Sequence, residues 1–167
     1  MWSRRAGQRP ARCKHHDVVE LDPAADIAAN QLPDVVVEDV GAGNKVNLRN
    51  VIPADKPILL WIDAPHRPAW PSEAPDVEQF ARANESEITV IGLGTQDSLE
   101  EAQEFVDDRG TTFTMLWDES FESWIELGVS SQPTAILLTP DGTIITGWVG
   151  RFPEDQVLEL AAQYTAG

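Results

Sequence analysis

Pro57-Ile58-Leu59-Leu60-Trp61-Ile62-Asp63, followed by Ala64-Pro65-His66-Arg67-Pro68-Ala69-Trp70-Pro71-Ser72-Glu73-Ala74-Pro75, is the stretch that decides the fold. The apolar run before Asp63 has no polar residue in it, which is the pattern of a strand covered on both faces. Proline punctuation comes next. Ser72 to Asn84 then sets Ala74, Val77, Phe80 and Ala81 at helical spacing, and Glu87 to Gly94 is a second buried apolar strand. Two buried strands joined through a helix require a parallel pair with layers above and below.

Outward from this unit the chain keeps alternating. On the N-terminal side, Val35-Val36-Val37 and Val46 to Leu48 read as two short strands around a Gly41-Ala42-Gly43-Asn44 turn. On the C-terminal side, Ser98 caps a helix over Leu99 to Asp108, with Glu101 completing a capping box. Phe113 to Leu116 is a short strand, and Ser120 to Leu127 a short helix closed by Gly128. Thr134 to Thr139 and Thr143 to Val149 form a hairpin around Pro140-Asp141-Gly142, and an amphipathic helix runs from about Pro153 to Tyr164. The reading is a three-layer α/β domain with a mixed central sheet: a parallel βαβ core and an antiparallel C-terminal hairpin.

Residues 1–31 lack any apolar period and read as a flexible leader, leaving 32–167 as the domain. Charge separates the two. Residues 1–16 hold Arg4, Arg5, Arg9, Arg12 and Lys14 and no acid, while residues 17–167 hold seven bases against all 28 acids. So acidic a body repels phosphate backbones, which excludes nucleic acid as its partner. No apolar run approaches the length of a membrane span. The single cysteine, Cys13, cannot form an intramolecular disulfide. Cys13, His15 and His16 lie in the leader without a rigid surround, so no metal site is expected there. Gly92-Leu93-Gly94 lacks the third glycine of a dinucleotide fingerprint, and no cofactor is expected.

The element order, with three local patterns, resembles the thioredoxin superfamily and within it the TlpA- and ResA-like redoxins of the AhpC/TSA type. Leu59 to Pro75 is similar to the family's buried strand, W-A-x-W-C-x-x-C and helix carrying E-x-P. Gly128-Val129-Ser130-Ser131-Gln132-Pro133-Thr134 is similar to G-V-x-x-x-P-T, whose proline is cis. Thr139-Pro140-Asp141-Gly142, with Gly147-Trp148-Val149-Gly150 beyond it, matches the final hairpin, and Leu99 to Phe121 resembles the redoxin αβ insertion. The resemblance spans about residues 32–164.

At the chemistry the chain departs from the family. The alignment sets Arg67 at the nucleophilic cysteine and Trp70 at the resolving one, with Asp63 and His66 at the two tryptophans. Disulfide exchange needs a thiolate to attack sulfur, and neither position carries sulfur. The resemblance implies that Gln132, Pro133 and Thr134 present backbone to an extended peptide; as structure alone, Pro133 shapes the entry to its strand. Glu73 matches a glutamate that handles protons near the family's dithiol; without a thiol, it serves the dipole of its helix. Asp63, His66 and Arg67 form a polar cluster at a strand end and helix start, able to hold an anion or simply to neutralise one another. Trp61, Trp117, Trp124 and Trp148 read as core or groove aromatics.

Two functions follow. The first is a redox-inactive binding module for a protein or extended peptide in the Pro133 groove. The second is thiol–disulfide or antioxidant activity by a non-standard route through Cys13 or a partner's thiol. The missing apolar h-region after Arg12 points to the cytoplasm, and the family resemblance to an extracytoplasmic setting.

Overall fold

A computed structural model describes residues 30–52, 54–63, 70–95 and 98–165. Its centre is β3 (Ile58–Ile62), in which all five residues are buried. The strand pairs in parallel with β4 (Thr89–Thr95) and antiparallel with β6 (Thr134–Leu138). Alternation along β3 sends Leu59 and Trp61 into one apolar layer and Ile58, Leu60 and Ile62 into the other. That two-sided burial is why the run carries no polar residue; each such aliphatic side chain contributes about 1.5–3 kcal/mol.

The remaining strands are β1 (Val36–Asp39), β2 (Asn44–Asn47), β5 (Thr114–Asp118) and β7 (Ile144–Val149). Among the described residues seven strands form one sheet, in the order β2-β1-β5-β4-β3-β6-β7, with β2 and β7 at its edges. Strands β3, β4 and β5 run parallel, and the β1–β2 and β6–β7 hairpins pair antiparallel. The helices are α1 (Trp70–Ala83), α2 (Leu99–Arg109), α3 (Glu122–Leu127) and α4 (Glu154–Thr165). Residues of α1, α2 and α4 join one layer, where Phe80 and Phe152 meet edge-on at 5.1 Å. Trp124 of α3 and the segment from Leu32 to Ile52 join the other.

Several local details follow from single residues. The Ser98 capping box is present, its hydroxyl accepting from Glu101 N and Glu101 Oε2 accepting from Ser98 N. Leu48 leaves the expected second strand for a short 3-10 helix (Leu48–Val51), because Asn47 Oδ1 accepts from Arg49 N at 3.0 Å and turns the chain. The α3 helix starts at Glu122, two residues later than its sequence suggests: Phe121 before it is left-handed, with φ 65°. Asn30 and Gln31 are tied to the body. Gln31 N donates to Gly142 O, and Asn30 Nδ2 to Arg49 O. No described helix is long and apolar enough to cross a membrane.

Candidate functional site

The C-terminal ends of β3, β4 and β5 meet the start of β6 along one edge of the sheet. The register Ile62↔Thr134 sets Asp63 beside Pro133, two residues 70 apart in sequence. Gln132-Pro133 is a cis peptide bond. The Pro133 carbonyl accepts from Gly150 N at 2.7 Å, and Thr134 Oγ1 donates to Ser131 O at 2.7 Å, so the loop is fixed from both sides. Among the described residues, the N–H and C=O of Gln132 have no backbone partner.

Behind the loop lies a cleft of about 30 Å³, lined by Trp61, Glu73, Val77, Pro133, Arg151 and Phe152, with Asp76 and Glu154 at its rim. That is room for a water or two, or for the tip of one small side chain. Its floor is apolar because Trp61, Val77 and Phe152 belong to the core layer beneath. Among the described residues its rim is acidic, and the one base there, Arg151, is ion-paired with Asp76. Val149, next to the loop, is 71% exposed.

The residues singled out in the sequence divide into two groups. Asp63, Glu73, Pro133 and Thr134 come together at this edge, with Gln132 in the loop; Asp63 is buried and its N–H donates to Leu93 O at 3.4 Å. His66 and Arg67 lie outside the described residues, as do Cys13, His15 and His16. Trp70 opens α1, and its side chain also lies outside the described ones. Trp61, Trp117 and Trp124 are buried, and Trp148 packs partly against the core. Among the described residues no group of His, Cys, Asp or Glu could hold a metal ion.

Two anchors near the site escaped the sequence. Asp118, fully buried at the end of β5, accepts four hydrogen bonds. Oδ1 receives Ser120 N and Ser120 Oγ, and Oδ2 receives Ser123 N and Ser123 Oγ. Thr95 Oγ1 donates to the Asp118 carbonyl from the paired strand. Asp118 thereby starts α3, which leads directly into the Pro133 loop. The signal was the Asp-x-Ser-x-x-Ser spacing, which lets a carboxylate meet donors two and five residues on. The second anchor is Glu78 of α1, which accepts from Thr112 N at 3.0 Å, from the Thr112 hydroxyl, and from Arg82 Nε at 2.8 Å. Burial pushes the Glu78 carboxyl up, but the Thr112 and Arg82 bonds outweigh it and hold the group below its ordinary value. Farther off, burial pushes Asp39 up, only partly offset by the turn amides of Ala42 and Gly41.

A mixed sheet with this order, a cis-proline loop facing a helix start, and helices on both faces define a thioredoxin-like protein. Within that class, residues 28–146 match the AhpC/TSA family, and the chain belongs to it. Solved structures agree. The chain is 28% identical to Mycobacterium tuberculosis DsbF, covering 83% of this chain and all of that one, with a TM-score of 0.68. It is 26% identical to a secreted Mycobacterium tuberculosis disulfide oxidoreductase homologous to Escherichia coli DsbE, covering 78% and 96%, with a TM-score of 0.63. A putative thioredoxin from Neisseria meningitidis, at 22% identity and a TM-score of 0.69 over 83% and 94%, shares the fold. No curated protein matches the chain.

Proposed function

We propose that this redoxin-family domain binds an extended protein segment beside Pro133 and performs no dithiol chemistry there. The observation that carries the reading is the placement of sulfur. The one cysteine, Cys13, lies outside the matched residues 28–146, so no residue of the matched stretch carries a thiol, and by the motif resemblance Arg67 and Trp70 stand where relatives carry theirs. Support for the binding half of the reading comes from the Pro133 loop itself: it is braced by Gly150 and Thr134, and the Gln132 backbone groups have no backbone partner among the described residues. Backbone pairing at such an edge supplies affinity with little demand on sequence, and the small cleft selects one short side chain.

The test is a peptide array probed with the folded protein, followed by amide chemical-shift mapping of the best binder. Perturbations centred on Ser131–Thr134 and Gly150–Phe152 are expected, with insulin reduction no faster than the buffer blank. Shifts scattered over the surface would overturn the binding reading. Family membership favours a second reading, in which Cys13 or a partner thiol supports oxidoreductase activity. Insulin reduction that disappears in Cys13→Ser would establish it over the first.

A further inference from the structure

The groove proposed above has an occupant within the same chain: we propose that the basic segment Arg4–Lys14 folds back onto the acidic rim beside Pro133 and competes with external peptides. The proposal concerns regulation of that site and rests on the peptide-binding reading for its consequence, though not for the docking itself.

Charge is the first support. Residues 1–16 carry five bases and no acid, whereas the rim presents Glu73, Asp76 and Glu154, with Asp155 beside it, against Arg151 alone among the described bases. Arg151 is already ion-paired with Asp76, and both are exposed, so the pair yields to a better arrangement at little cost. An arginine fork suits carboxylates at such a rim better than a lysine would, and four of the five bases are arginines.

Reach is the second. The described chain starts at Asn30, held near the β6–β7 turn by Gln31 N→Gly142 O. Pro133 lies at the other end of β6, roughly 20 Å away at the rise of a strand. Arg12 stands 18 residues before Asn30, a contour of about 60 Å, against a domain radius of gyration of about 14 Å. The intervening Asp17–Ala29 contains four acids and no base, so it is repelled by the body and acts as a tether while the basic end is drawn in.

Cys13, the one cysteine, makes the test direct. A nitroxide attached there in the full chain should broaden the amides of Glu73, Asp76 and Gly150–Glu154 at low salt by at least about twofold. The broadening should fade near 1 M salt, where charges are screened beyond about 3 Å. Converting Arg4, Arg5, Arg9 and Arg12 to Gln should abolish it while leaving the body's amide spectrum in place. Absent or evenly spread broadening, or broadening that survives the four substitutions, overturns the proposal. If the segment occupies the groove nine-tenths of the time, deleting residues 1–16 tightens peptide binding about tenfold. Site-centred broadening with no peptide bound by either chain would instead refute the peptide-binding function and leave the docking intact.

Discussion

Replacing Asp118 by Ala removes the acceptor that holds four donors at the start of α3. The donors differ in consequence. Ser120 is exposed, so water takes over its N–H and hydroxyl at little cost. Ser123 is fully buried, and its N–H and hydroxyl lose their partner without access to water. Each orphaned buried donor costs about 1–3 kcal/mol, so the pair costs roughly 2–6. Some of this is recovered because removing one acid eases repulsion in a chain of net charge −16. We expect about 3–5 kcal/mol of destabilisation, or roughly a 6–20 °C fall in Tm at about 2–4 °C per kcal/mol for a chain of this size.

Asp118→Asn gives the internal control. One amide oxygen still serves Ser123, and the amide NH2 turns toward the exposed Ser120, so the loss should be about 1–2 kcal/mol. Ser120→Ala should cost under about 1 kcal/mol, since that hydroxyl reaches solvent. Urea unfolding followed by tryptophan fluorescence reads all three, helped by the buried Trp124 next to Ser123 in the same helix. The order Ala, then Asn, then the serine variant is the claim. An alanine variant within about 1 kcal/mol of wild type would refute the account of Asp118 as the anchor of α3.

Three further outcomes follow from other contacts. Gly92→Ala drives a Cβ into Met115 Sδ and within 3.2 Å of Phe113 Cε2; the flexible thioether yields in part, so about 1–2 kcal/mol should be lost in thermal unfolding, whereas in a Met115→Ala background, itself destabilised by its cavity, the same glycine substitution should cost little more. Thr112→Val removes the hydroxyl that donates to Glu78. Because the folded Glu78 pKa is lowered, its contribution is present above the unfolded value of about 4.3 and lost as pH falls through the folded one. The variant's deficit in urea midpoint should therefore be present at pH 7 and shrink toward pH 3, whereas an equal gap at both would assign it to packing. Ser98→Ala, which removes the hydroxyl half of the α2 capping box and leaves the Ser98 N–H to Glu101 bond available, should cost about 1 kcal/mol by the same assay, and no change would mean that α2 is held by packing alone.

The fold was legible because its main signals are periodic and local. A strand buried on both faces leaves an unbroken apolar run, as at Ile58–Ile62, and a helix end leaves its cap, as at Ser98 and Gly128. What was illegible depended on side chains competing with the backbone. Asn47 turned Leu48 out of its strand, and the apolar character of Val46-Asn47-Leu48 could not reveal that. At α3, serine at position 120 looked like a first-turn residue, yet Asp118 reached over it to Ser123 and delayed the helix.

The site was legible to a different extent on its two sides. Pro133 could be located because Gly128–Thr134 resembles the family's G-V-x-x-x-P-T, in which one residue type at one place in a short motif carries the loop. The acidic rim could not, because Glu73, Asp76 and Glu154 come from α1 and the start of α4, 78 residues apart between Asp76 and Glu154, and are brought together only when both helices pack on the face holding Trp61 and Val77. Composition gave the sign of the body's charge but not its concentration beside the loop. That concentration is what separates the two functional readings physically. A thiolate would be disfavoured among these carboxylates by like-charge repulsion, whereas a cationic segment would be drawn to them. On the proposed reading the same rim therefore favours capture of a basic chain, whether a partner or residues 4–14 supply it.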